Sequence, residues 1–158
     1  MVKSIYFDKP SRSNWFVAYH QDLTISTANK HPLEGFINWT VKQGQYAVQP
    51  PVEVLQRNFT IRIHLDDTDE YNGALRVIPG THLKGVIAPN DFKGLMENET
   101  VCSVQQGGIM IMKPMLLHAS GRTINNKRRR VVHIEMSDAV LPEPLEWGEK
   151  AEVFCRKN

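Results

Sequence analysis

The sequence predicts an all-β protein, a sandwich or a barrel, on three observations. Runs of β-branched and aromatic residues are short, they recur along most of the chain, and they are separated by clusters of Gly, Pro, Asn and Asp, which supply the backbone angles of turns. A length of 158 residues allows one hydrophobic core, so a single domain is expected. The 41% hydrophobic and 23% charged content is that of a folded globular chain, which sets disorder aside as the cause of the turn-rich stretches.

In order, strands are expected at Lys3 to Phe7, Trp15 to Leu23, Asn58 to Leu65, Leu75 to Ile78, Thr100 to Val104, Gly108 to Lys113 and Arg129 to Met136. Only Asn90 to Glu97 reads as helical, and briefly. "YNGALRVIPGTH", residues 71 to 82, places a short strand between two tight turns, because Asn-Gly and Pro-Gly favour that geometry. The acidic "DDTDEYNG" does not set oxygen donors at the alternating positions of a calcium loop, and is expected to be a solvated turn.

Side chains two apart in a strand share a face. Phe16, Ala18, His20 and Asp22 therefore form one set; Phe59, Ile61, Ile63 and Leu65 oppose Arg62 and His64; Arg129, Val131, His133 and Glu135 oppose Arg130, Val132, Ile134 and Met136. Period alone does not say which face is inside. Arg62 and His64, and likewise His133, are either part of an inner functional surface or solvated residues outside.

Nineteen basic and seventeen acidic residues leave a net charge of +2 spread along the chain, so no global field favours nucleic acid or an anionic membrane. "NKRRR" is a weak candidate for a basic patch, since three arginines entering a strand must divide between its faces. The start lacks the apolar stretch of a signal peptide and no run is long enough for a spanning helix, so a cytoplasmic protein is expected. Cys102 and Cys155 then read as reduced thiols, and the sequons at Asn38, Asn58 and Asn98 carry no meaning without secretion.

His20 and Asp22 project from one strand face and can offer a nitrogen and an oxygen to one metal ion. A third donor must come from elsewhere, and His118, which also follows an apolar run and precedes a turn, is the candidate. Two histidines and a carboxylate on one side of a metal leave the opposite positions open, as in non-haem Fe(II) oxygenases. Arg129 follows His118 by 11 residues, at the start of the next strand, where its planar fork suits a carboxylate. His31 and His82 look like ordinary loop residues.

The stretches "FDKPSRSNWFVAYHQDLTI", "VQPPVEVLQRNFTIRIHLDDTDEYNGALRVIPGTH" and "GGIMIMKPMLLHASGRTINNKRRRVVHIEM" resemble the phytanoyl-CoA dioxygenase family of Fe(II)- and 2-oxoglutarate-dependent oxygenases, and more closely a bacterial-type subgroup of unassigned substrate. The resemblance runs from about Tyr6 to about Trp147 in the expected order. It implies a double-stranded β-helix, a jelly roll with iron at one mouth. By position it implies His20, Asp22 and His118 as iron ligands, Arg129 and Ser120 as contacts to 2-oxoglutarate, and Trp39 at the border of the cosubstrate pocket; Arg62 and His64 are further candidates for cosubstrate or substrate contacts. It implies Fe(II), 2-oxoglutarate and O2, with ascorbate assisting, and hydroxylation of a small organic substrate. Relatives carry an N-terminal region that braces the barrel and that this chain lacks before its first motif, so a homodimer through the uncovered sheet face is expected. The alternatives are a catalytically silent jelly roll that binds a metal or ligand, and a zinc cupin-type isomerase or hydrolase.

Overall fold

The computed structural model describes residues 1–11, 15–42 and 44–152. Eleven strands are seen among them: β1 (Lys3–Lys9), β2 (Val17–His20), β3 (Ile25–Thr27), β4 (Ile37–Lys42), β5 (Gln45–Gln49), β6 (Asn58–His64), β7 (Leu75–Val77), β8 (Thr100–Cys102), β9 (Ile109–Met112), β10 (His118–Ser120) and β11 (Arg129–Ser137). One helical turn, α1 (Val52–Gln56), leads into β6, and 3-10 turns occupy Thr81–Lys84 and Pro89–Asn98. The helix expected at Asn90 to Glu97 is thus the tighter 3-10 form. Cys155 lies outside the described residues, and Cys102 is a free thiol.

Eight strands make two four-stranded antiparallel sheets, one ordered β1-β11-β6-β9 and the other β2-β10-β7-β8. Successive strands pass between the sheets, except for the β7–β8 pair, which is the double-stranded β-helix expected from the sequence. A third sheet, β3-β5-β4, is inserted between β2 and β6. Its strands, β10 and α1 have no counterpart among the elements expected from the sequence. Hairpin β4–β5 carries only a Gln-Gly turn signal, with Gly44 at φ +79°, and β10 is three residues long, too short for periodicity to show.

The main apolar cluster lies where the inserted sheet meets the barrel: Ile25, Phe36, Val48, Leu55, Met115, Leu141 and Leu145, with Trp39 and Trp147 against them. A smaller cluster of Leu75, Val77 and Met112 lies within the barrel. Much of the remaining barrel interior is polar or charged. Arg62 and His64 turn inward, in register with His133 and Val131 of β11, and Thr60 and Asn58 follow them along β6. The apolar partners on the same strands, Ile61, Ile63, Val132 and Ile134, face out. The open alternative of the sequence is settled by the position of the second sheet, which covers the charged face.

The "DDTDEYNG" stretch is a turn, as expected, with a buried side and a solvated one. Asp69 Oδ1 accepts from the backbone N–H groups of Tyr71 and Asn72, Asn72 donates from its side chain to the Asp67 carbonyl at 2.7 Å, and Thr68 and Asn72 are buried. Asp66 is held by Arg130, while Asp67 and Glu70 are exposed to solvent. The arginine run divides as expected: Arg129 points in, while Arg128 pairs with Asp8 and Arg130 with Asp66 on the outside.

Candidate metal centre

Strand pairing brings the candidate donors together. His118, the first residue of β10, is the cross-strand partner of His20, the last of β2, so two imidazoles distant in sequence stand with ring centroids 4.3 Å apart. Asp22 lies past the end of β2, fixed by donation of its backbone N–H to the Pro114 carbonyl at 2.8 Å. Its carboxylate reaches His20 Nε2 at 3.5 Å and His118 Nε2 at 3.7 Å. One donor atom from each of the three falls within 4.8 Å of the others.

The route to this arrangement is not simple alternation. Between the pairs His118–His20 and Ser120–Val17, β10 advances two residues and β2 three, a bulge. Val17 and His20 therefore both turn into the cavity, while Phe16 and Ala18 are exposed. The common face expected for Phe16, Ala18, His20 and Asp22 is corrected on this point: the bulge re-aims His20, and the strand ends before Asp22.

Both imidazoles are oriented by backbone. His20 Nδ1 bonds the Ala18 carbonyl at 2.9 Å and His118 Nδ1 the Leu116 carbonyl at 2.8 Å, so each Nδ1 donates and each Nε2 presents a lone pair to the cavity. The Asp22 carboxylate beside it raises the pKa of His20, whereas burial lowers that of His118. Burial pushes Asp22 upward, but the two histidines beside it outweigh this and hold Asp22 below its ordinary value. Two bare imidazole nitrogens and an ionised carboxylate on one side of a cavity fit a divalent ion with open positions opposite, the donor set of non-haem iron sites.

A cavity of about 160 Å³ opens from the three donors. Arg129, Ser120, Arg62 and His133 line its far side. Arg129 is 2% exposed; Nη2 donates weakly to Ser120 Oγ at 3.4 Å, while Nε and Nη1 are buried with no partner among the described residues. Ser120 Oγ–H donates to the Gly73 carbonyl at 3.0 Å, which holds its oxygen toward Arg129. A buried guanidinium without a carboxylate is a receptor for one, so these residues fit the distal carboxylate of a keto diacid. Burial, and then the charge of Arg62, lower the pKa of Arg129 to about 10, so it stays charged at neutral pH.

His64 faces inward but does not line the cavity. Its Nδ1 pairs with Thr68 Oγ1 at 2.8 Å, and burial with the charges of Arg62 and Arg129 pushes its pKa down to about 4, so it is neutral. Trp39 also stands apart from the cavity: it packs on the cluster beneath the inserted sheet, which corrects the expected position at the pocket border. The local spacing carries a three-stranded insertion whose course the sequence did not reveal.

Lys9 escaped sequence reading although the alternation Lys3, Ile5, Phe7 extends to it. It is fully buried, donates to the Gly121 carbonyl and lies 4.9 Å from the centre of the Trp15 ring. Burial, and then Arg129, lower its pKa to about 8. Gly73, at φ +87°, must remain small: a Cβ there would come within 2.8 Å of both the Gly121 carbonyl oxygen and Lys9 Nζ.

The architecture is an antiparallel jelly roll with two histidines and an aspartate at one mouth beside a cationic pocket. The chain belongs to the phytanoyl-CoA dioxygenase (PhyH) family, whose model matches residues 4–131. Among solved structures it is similar to EvdMO1 (20% identity, 87% of this chain and 28% of that one, TM-score 0.58). It is also similar to EctD from S. alaskensis, solved with 2-oxoglutarate and 5-hydroxyectoine (19% identity, 84% and 42%, TM-score 0.59), and to SnoN, the non-heme α-ketoglutarate-dependent epimerase from nogalamycin biosynthesis (16% identity, 87% and 47%, TM-score 0.60). At these identities the likeness shows the fold. The chain spans between about a quarter and a half of the length of these structures. No curated protein matches it.

Proposed function

We propose that the chain is the catalytic core of a non-haem Fe(II), 2-oxoglutarate-dependent dioxygenase that hydroxylates a small organic substrate in the cytoplasm. One observation carries this: three donors within 4.8 Å of one another, with Nε2 of both histidines turned to the cavity, face a buried arginine that has no acid partner among the described residues. His20 and His118 would hold the metal through Nε2 and Asp22 through its carboxylate. Arg129, steadied by Ser120, would hold the distal carboxylate of the cosubstrate. When bound, Fe(II) and 2-oxoglutarate with O2 supply the oxidising chemistry, and ascorbate assists by keeping the iron reduced. The protein contributes orientation and the buried guanidinium groups of the cavity wall.

The test is anaerobic addition of Fe(II) and 2-oxoglutarate, which gives a weak visible charge-transfer band in the wild type and none after His20→Ala or Asp22→Ala. A wild type without the band, or variants that keep it, would sink the reading. A second reading, a jelly roll that binds metal and ligand without turnover, is favoured by the open mouth: the His20 and Asp22 side chains are 40% and 36% exposed. It predicts metal binding with no succinate formed, even with ascorbate in excess.

A further inference from the structure

Five of the arginines make two contrasting groups. Arg57, Arg128 and Arg130, at the surface, each hydrogen-bond an aspartate: Asp138, Asp8 and Asp66. Arg62 and Arg129, buried in the cavity wall, hydrogen-bond no carboxylate among the described residues. This reverses what solvation favours, because a charge taken out of water needs a partner more than one left in it. Arg129 is accounted for by the cosubstrate; Arg62 is not.

Arg62 is 6% exposed and lies in register with His133. Its Nη1 donates to His133 Nδ1 at 2.9 Å, and its guanidinium carbon stands 5.5 Å from the centre of the Phe7 ring. His133 therefore carries its proton on Nε2, which faces Glu135 at 3.5 Å, and Glu135 is in turn 3.6 Å from Lys3. These contacts fix the guanidinium plane from one side. Nε is buried without a partner, and Nη2 makes no hydrogen bond among the described residues, so the Nε–Nη2 edge, the one that grips a carboxylate bidentately, is unpaired.

Position separates Arg62 from the cosubstrate arginine. On β11, Arg129 lies four residues before His133, the partner of Arg62, so the two side chains start about 13 Å apart along the strand direction. Charge gives the same answer. A divalent ion, Arg62 and Arg129 set against Asp22 amount to +3; a keto diacid brings this to +1, and the fully buried Lys9 adds to the excess. The Glu135 carboxylate on the same strand is taken up by Lys3 at 3.6 Å, so the excess positive charge favours a further anion.

Resting on the function proposed above, we propose that Arg62 is the anchor for a carboxylate of the primary substrate, which is accordingly an organic acid bound at a subsite distinct from that of 2-oxoglutarate. The test uses protein loaded with Co(II) and saturated with 2-oxoglutarate, so that no turnover occurs, titrated with acetate as the minimal carboxylate and with chloride as the ionic-strength control. The Co(II) visible spectrum and the melting temperature are the readouts. Wild type should respond saturably to acetate and not to chloride, with no loss of 2-oxoglutarate. Arg62→Gln should weaken acetate at least tenfold while 2-oxoglutarate affinity stays within threefold. Arg62→Lys, which keeps the charge and loses the fork, should fall between them and serves if the glutamine variant does not fold. The proposal is overturned if acetate binds equally well to Arg62→Gln, if acetate competes with 2-oxoglutarate, or if the substitution weakens 2-oxoglutarate tenfold or more, which would make Arg62 a cosubstrate residue. Wild type that takes Co(II) and 2-oxoglutarate yet ignores acetate overturns this inference alone. Failure to take 2-oxoglutarate at all overturns the dioxygenase reading, and the substrate subsite with it.

Discussion

The two faces of the β1-β11-β6-β9 sheet invert the usual arrangement of a β-sandwich, in which the inner face is apolar and the outer polar. The inner face bears Lys9, Arg62, His64, Arg129 and His133, all buried. The outer face has two apolar rows running straight across the strands: Tyr6, Val132, Ile63 and Ile109 in one, and Ile134, Ile61 and Ile111, beginning at Ser4, in the other. Tyr6, Ile109 and Ile111 are 56%, 60% and 67% exposed. The interior gives up apolar packing to hold cations in a cavity. The stability that burial of side chains would normally supply comes instead from the cluster beneath the inserted sheet. The exterior is left with a contiguous apolar surface of the kind that marks an interaction site.

Substitutions on the two faces should separate ligand binding from association. The largest effect belongs to the inner face: Arg129→Ala should weaken 2-oxoglutarate by about 2 to 4 kcal/mol, read by calorimetry on Co(II)-loaded protein. An unchanged dissociation constant would mean that another residue is the anchor.

Lys9 tests the electrostatic side of the comparison. Its folded pKa, about 8, is below the ordinary 10.5, so between these values the unfolded chain binds more protons and stability rises with pH. Measured by urea denaturation, wild type should gain about 2 to 3 kcal/mol on Lys9→Met between pH 7 and pH 10, as a depression of this size requires. A flat difference would show that Lys9 is not held in the charged state against burial.

Gly73→Ala should destabilise the fold by roughly 1 to 3 kcal/mol, because the residue is left-handed and its Cβ would meet the Gly121 carbonyl and Lys9. A neutral melting temperature would show that this wall of the pocket yields.

The smallest effect on stability is expected outside. We propose that two copies meet through the outer rows, whose border of both charge signs, Asp8, Arg128, Asp66 and Arg130, suits a twofold contact. Ile111→Lys should change unfolding free energy by less than about 0.5 kcal/mol, as for exposed positions, and leave 2-oxoglutarate binding unchanged, yet convert dimer to monomer by light scattering. A wild type that is monomeric throughout the micromolar range removes this proposal.

Much of the site was legible before any coordinates. The His20, Asp22 and His118 constellation and Arg129 are marked by residue type and by their places at strand ends. Lys9 was missed because a single lysine continuing an alternating pattern has no signature of burial, and Trp39 was misplaced because the β3–β5 insertion intervenes.

The sequence by itself determined the strand periods, the turns that divide them and the residue types able to bind a metal and a diacid, since each depends on neighbours close along the chain. Tertiary structure alone decided that Arg62, His64 and His133 face inward, that a bulge aims Val17 and His20 at one cavity, and that His118 meets His20. Those outcomes depend on which strand pairs with which and on which side the second sheet lies, and a period of two is the same from either side.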